Sequence, residues 1–295
     1  MIKILVCPKC HQVDSIAYGP KRELICSKCS AVYAQDPDTS FYEFRSKVSS
    51  QDRGLLVDQE MDFYCNDIFN EFVQSNCEKR CLAVVYQLRP KVILDIGCGN
   101  GSWAPELTKG MLSSYIGLEP SDIPCGHGAS GISENILLIH NDPDKAFPIK
   151  DQSVDLVLFS ASYDHIQMRE IVVREAWAKL HSGGAMVIVM GNYGFWIKRF
   201  LNMLGGGSYF QHDHEHYCVH SPDSLEGEIL SFIPDARLEK VDADDICIPN
   251  LPKALAPIYF SRWWLSFLSD GLKYLLKYVF RIKHPGSSMV MVFRK

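Results

Sequence analysis

The segment KVILDIGCGNG, residues 91–101, constrains the fold of this chain more than any other stretch. Four aliphatic residues, Val92, Ile93, Leu94 and Ile96, surround Asp95 without the polar alternation of a half-exposed strand. A strand of that kind needs cover on both faces, as the parallel strands of α/β domains have. Gly97, Gly99 and Gly101 follow at alternate positions, with Cys98 inside the loop. SWAPELTKG can then open a helix, and SYIGLEP is a second strand ending at Glu119. The result is a β-α-β unit with an acid about twenty residues beyond the glycine loop.

Glu119 could hold the two ribose hydroxyls of either a dinucleotide or an adenosyl ligand. Asp95 separates the two. A pyrophosphate sits close to the glycine loop and the helix N-terminus, and a carboxylate there repels it. S-adenosylmethionine (SAM) carries no phosphate; it offers an ammonium and a sulfonium, which the carboxylate attracts. The third glycine also falls earlier than dinucleotide spacing requires.

Downstream, NILLIHND reads as a third strand ending at Asp142, and FPIKDQSVDLVLFSASYDHI as a turn, a strand over about 154–160 and a loop. REIVVREAWAKL is an amphipathic helix, and HSGGAMVIVM a glycine turn with a fifth strand. ARLEKVDAD and SSMVMVFRK form a terminal antiparallel hairpin. Upstream, residues 58–74 and 77–88 read as helices, the second stopping at Arg89-Pro90.

The stretches LDIGCGNG, GLEPS, FPIKDQSVDLVLFS and REAWAKLHSGGAMVIV together resemble a class I SAM-dependent methyltransferase of the Methyltransferase-11 type, over about residues 58–295. The resemblance implies an α/β, Rossmann-like, seven-stranded sheet. It places Asp95 and Gly97 beside the methionine moiety of SAM, and Gly99 and Gly101, with Cys98 just before them, where the backbone approaches closely. Glu119 falls on the ribose, Asp142 on the adenine edge, and Ser160 to Ser162 near the sulfonium. At 140–141 the chain has His-Asn where many relatives carry a glycine before the acid.

Cys7, Cys10, Cys26 and Cys29 form Cys-x2-Cys-x15-Cys-x2-Cys. Two such knuckles complete a closed tetrahedral sulfur site, the geometry of structural zinc, which leaves no position open for catalysis. Residues 1–35 resemble a Trm112-like zinc ribbon, a class of element that serves structure or docks partner proteins. The expected division is therefore a ribbon at 1–35, a linker and helices at 36–90, and a methyltransferase domain at 91–295. The seven remaining cysteines show no disulfide framework, and the odd total of 11 points to a reducing cytosol. MIKILVCPKC has no long apolar core, so no signal peptide is expected. No run of eighteen apolar residues suggests a spanning helix.

For the acceptor, His165 lies just past the fourth strand, where a general base or a substrate contact is needed. A second source is FQHDHEHYCVH, which contains His212, His214, His216 and His220. Three of these could hold a metal if extended; as a loop at the pocket mouth, the run would offer one histidine, His214, to the substrate. Ser221-Pro222 then opens a helix.

Residues 251–295 carry eight Lys/Arg against one acid, Asp270, on a chain of net charge −5. Residues 248–286, lying between the last two strands, read as a helical lid rich in aromatic and basic side chains. One account packs the aromatic face on the domain and lines a substrate cavity. The other lays residues 250–285 on an anionic membrane, making the enzyme peripheral and suiting a lipid-linked acceptor. Three functions follow: methyl transfer to oxygen of a small molecule, sugar or lipid-linked acceptor; methylation of RNA read by the ribbon; or a non-catalytic SAM-binding scaffold. The acidic body disfavours a broad nucleic-acid surface.

Overall fold

The computed structural model describes residues 2–37, 39–45, 79–111, 113–121, 134–141, 145–192, 194, 217–243, 271, 274–286 and 288–295. The helix expected at 58–74, Asp142, His214 and residues 248–270 of the expected lid lie outside them. The first strands, β1 (Ile16–Tyr18), β2 (Leu24–Cys26) and β3 (Val32–Tyr33), make a small antiparallel sheet, the ribbon. The second sheet has eight strands. They are β4 (Tyr42–Glu43), β5 (Val92–Ile96), β6 (Ser114–Glu119), β7 (Ile136–His140), β8 (Val154–Ser160), β9 (Leu180–Gly191), β10 (Arg237–Asp242) and β11 (Ser288–Arg294).

Their order is β10-β11-β9-β8-β5-β6-β7-β4. β9, β8, β5, β6, β7 and β4 run parallel, while β10 and β11 close the far edge antiparallel. Seven strands match the expectation, and the terminal hairpin falls where it was read. The eighth, β4, is a two-residue parallel edge strand following the ribbon, in a stretch read as linker. β9 begins directly at Leu180, so Gly183, at φ +82°, lies within the strand and not in a preceding turn.

The continuous apolar runs are explained by burial on both faces. Leu94, Ile96, Ile116, Leu118, Val157 and Phe159 face one core; Ile93, Tyr115, Leu138, Leu156, Leu158 and Val187 face the other. The first core is covered by the ribbon and by two helices, α3 (Arg169–Lys179) and α4 (Pro222–Phe232). Helix α1 (79–88) covers the second, through Cys81, Val84 and Val85 at helical spacing. Helix α2 (Ala104–Thr108) adds Ala104 and Leu107. Helix α4 starts as its sequence predicts: Ser221 and Ser224 form a reciprocal capping box, with Pro222 at the first turn. Among the described residues, no helix is long and apolar enough to cross a membrane.

The direction of crossover reverses at β5: the chain leaves it for β6 and β7 on one side, and β8 and β9 lie on the other. A crevice opens at such a switch point beyond the strand ends. The turn out of β5 is fixed by Gly97 at φ +71°, where an added Cβ would lie 2.6 Å from Cβ of Ser162. Gly97→Ala is therefore expected to lower stability by about 2–4 kcal/mol in urea unfolding, combining left-handed strain with a contact that only backbone movement relieves.

Candidate functional site

The crevice is built around Asp95. It sits on a central strand and is only 2% exposed. The Tyr115 hydroxyl of β6 donates to its Oδ2 at 2.6 Å. Its Oδ1 is buried with no hydrogen-bond partner among the described residues. Burial pushes the carboxyl up to about 7, with the Tyr115 hydrogen bond opposing and the Glu119 charge adding to the shift. An orphaned carboxylate oxygen at that depth is costly unless a cation or donor meets it.

Glu119 ends β6 one strand away. Its Oε2 accepts from Gly99 N at 2.9 Å, and its Oε1 from Ser121 N at 3.0 Å and Ser121 Oγ at 2.5 Å. The glycine loop is thus tied to the acid that the sequence pairs with it. Each glycine has a different reason. Gly101 (φ +69°) packs its α-carbon against Leu138, where a Cβ would lie 2.8 Å from the leucine methyls; Gly99 (φ +55°) faces open space on the crevice side. Cys98 turns its side chain inward, over the α-carbon of Gly117, where a Cβ would come within 2.5 Å of its Sγ. Cys98 therefore offers only its backbone to a ligand, and burial raises its thiol well above the usual range.

β8 completes the crevice beside β5, with Asp95 in register with Leu158. Ser160 ends it half-buried, and Ala161 takes φ +51° to turn the chain across the glycine loop. There Ser162 Oγ donates to the Ile96 carbonyl at 2.5 Å. His165 closes the one-turn helix Tyr163–His165, its Nε2 3.9 Å from Asp164 Oδ1 and its side chain 24% exposed. Asp95, Gly97, Cys98, Gly99, Gly101, Glu119, Ser160 and His165 therefore converge on the ends of neighbouring strands. Asp142 and His214 lie outside the described residues. The His140 departure is accommodated by turning the ring away from the ligand side: Nδ1 lies 3.2 Å from the Glu119 carbonyl and the ring stacks on Phe41 at 4.4 Å.

Sequence reasoning missed a polar knot behind this crevice. Glu228 of α4 accepts from Tyr163 Oη at 2.7 Å and from Arg169 Nε at 2.8 Å, and lies 3.2 Å from His220 Nε2. Burial would raise the Glu228 carboxyl, but these partners hold it below its usual range. Burial also lowers the His220 imidazole, so His220 of the histidine run is a neutral member of this knot. The only signal was Glu228 standing one position from Ile229, on the buried side of α4.

The ribbon cysteines converge as their spacing requires. All four sulfurs lie within 4.8 Å of one another, with Cys7–Cys29 and Cys10–Cys26 at 3.6 Å. A tetrahedron with Zn–S bonds of about 2.3 Å has edges of about 3.8 Å, so the set fits such an ion. Each knuckle closes on a left-handed residue, His11 at φ +57° and Ser30 at φ +57°. In the stretch expected to form a lid, the described aromatics Tyr274, Tyr278 and Phe280 are exposed, in and around a π-helical turn over Leu275–Val279.

Asp95 has a measurable signature in the ligand-free protein. Its folded pKa lies above the unfolded value, so the folded state holds the extra proton between about pH 4 and 7, and stability falls as pH rises through that window. The stability of Asp95→Asn relative to wild type should therefore rise by about 2–3 kcal/mol in urea titrations between pH 5 and 7.5.

A family model described as a methyltransferase domain matches residues 69–229. Norajmaline N-methyltransferase of Rauvolfia serpentina is 32% identical over 107 residues, covering 35% of this chain and 36% of that enzyme, so the match spans about a third of the relative's length. A chain of the complex between the Haloferax volcanii Trm112 methyltransferase activator and a methyltransferase shares the fold at a TM-score of 0.50 and 15% identity, covering 80% of this chain and 97% of that one. A SAM-dependent methyltransferase from Archaeoglobus fulgidus gives a TM-score of 0.46 at 15% identity, over 75% and 94% of the respective chains. With more than half of its length matched, this chain belongs to the methyltransferase-domain family.

Proposed function

We propose that this enzyme transfers the methyl group of SAM to a small-molecule acceptor at a hydroxyl or amine, with a structural zinc ion in the ribbon. In this reading the bare Oδ1 of Asp95 meets the SAM ammonium, Glu119 takes the ribose hydroxyls, and Gly99 leaves room for close approach. Asp142 takes the adenine edge, and Cys7, Cys10, Cys26 and Cys29 hold the zinc. SAM supplies a methyl carbon on a cationic sulfur. The protein aligns the acceptor in line with that carbon, which is where most of the acceleration in such a transfer arises. His165 stands at the exit of β8 to take the acceptor proton, with its Nε2 3.9 Å from Asp164 Oδ1.

The observation that carries the small-molecule reading is the pairing of charges behind the crevice. Arg169 is engaged by Glu228, and the chain is acidic overall, at −5. An RNA substrate calls for unpaired cations along a groove. The similarity to an enzyme named for N-methylation of norajmaline supports a small acceptor and weighs nitrogen equally with the oxygen read from sequence. A lipid-linked acceptor is the second reading, favoured by exposed Tyr274, Tyr278 and Phe280 close to Arg281.

Labelled methyl from SAM should appear in small-molecule fractions of alcohols, phenols and amines; counts in purified RNA instead would overturn the acceptor class. Asp95→Ala should weaken SAM binding on the order of 100-fold in calorimetry. For the lipid reading, sedimentation with phosphatidylglycerol vesicles should exceed that with phosphatidylcholine vesicles, and Tyr278→Ser with Phe280→Ser should remove the difference.

A further inference from the structure

The ribbon and the cofactor crevice are joined by a continuous path of packed groups. The Tyr33 hydroxyl lies 3.0 Å from Cys7 Sγ, inside the cysteine cluster. The Tyr33 ring packs on Phe44 with centroids 4.3 Å apart. Phe44 follows β4, and its backbone N–H donates to the His140 carbonyl at 3.0 Å. β4 itself pairs with β7, Tyr42 opposite Ile139 and Glu43 opposite His140. At the end of this segment the Arg45 side chain, 8% exposed, is held by Glu43 and donates from Nη1 to the Pro120 carbonyl at 3.1 Å. Pro120 separates Glu119 from Ser121, the two residues that hold each other and the glycine loop.

The tail strand depends on the folded ribbon at its other end as well. Tyr42 Oη donates to the Arg22 carbonyl at 2.8 Å, in the turn before β2. The ribbon in turn is sewn to the domain through the connection into β8, by Val6 N to Pro148 O at 2.9 Å and Lys150 N to Ile4 O at 2.7 Å. A domain of this size has too little core to hold its shape without the metal. A two-residue edge strand likewise has too few bonds to persist alone.

We infer that the metal-bound ribbon is an internal support of SAM binding, acting through β4, with Phe44 and Arg45 as positioning residues for the β6–β7 wall that carries Glu119. This rests on the SAM and zinc assignments above. Loss of the metal frees β4, bares the edge of β7 and releases the Pro120 carbonyl, so the ribose wall loosens while β8 and β9 keep their neighbours. The ribbon thus makes cofactor affinity conditional on metal loading without touching the cofactor.

The test compares the full-length zinc-loaded protein with chelator-treated protein and with Phe44→Ala, which leaves the cysteines intact. Two readouts are used: amide hydrogen exchange of the SAM-free protein, and SAM affinity by calorimetry. Metal removal should speed exchange over residues 136–141 at least about tenfold, leaving 154–160 and 185–190 protected. It should weaken SAM binding about tenfold, and Phe44→Ala should retain zinc and give the same pattern at about threefold. Unchanged protection of β7 in metal-free protein would overturn the inference. So would protection lost equally in β8 and β9, which would mean general unfolding. If the zinc-loaded protein takes up no SAM, the cofactor assignment fails, and the exchange comparison still decides whether the ribbon supports β7.

Discussion

A carboxyl group buried at the centre of the sheet, with one oxygen satisfied and the other bare, is the constraint around which this molecule is arranged. Asp95 is placed there because β5 lies at the point where the sheet changes direction, and β6 supplies the Tyr115 hydroxyl from the adjacent strand. Burial makes ionisation costly, so the folded protein carries an unfavourable site that a cation relieves. The same burial disfavours a diphosphate, which would add charge of the wrong sign. The glycine loop, the Glu119 tether and the Ser162 turn then fix the geometry around that one carboxylate, each through a contact that leaves little slack.

Much of this was legible in the sequence because it is written in short-range chemistry. The β-α-β unit follows from Val92 to Gly101 and Glu119, and the cysteine site follows from two pairs at fixed spacing; both depend on local geometry alone. The Ser221-Pro222 helix start was equally readable. β4 was not: Tyr42 and Glu43 have no periodicity, and they become a strand only because β7 offers an unpaired edge and the ribbon delivers them to it. Gly183 read as a turn because a glycine pair usually is one; here it lies where the ladder with β8 shifts register between Leu180 and Ala185, and Gly183 N is bonded to the Lys295 carbonyl. The Tyr163, Arg169, His220 and Glu228 knot was hidden because its members lie up to 65 residues apart. Each looks like an ordinary surface polar residue until α3 and α4 are packed together. Where Cys98 points also needs the structure, since only the bare α-carbon of Gly117 opposite it makes room for the thiol.

The arrangement separates tasks by depth. The residues proposed to hold the cofactor lie on the parallel strands and in the loop that leaves β5, held by a sheet buried on both faces. The turn beyond β8 that carries His165 is tied down through Tyr163 and Arg169, both bonded to Glu228. The ribbon sits on the first core, and the segment that follows it extends the large sheet by one strand, β4.

The most direct test of the central role of Asp95 counts protons. SAM should bind only where Asp95 is ionised, so at pH 6.5 its binding should release about three quarters of a proton, measured by calorimetry in buffers of different ionisation enthalpy. Asp95→Asn should reduce that release to near zero. SAM binding with no proton release in the wild-type protein, or with release unchanged by the substitution, would contradict the account.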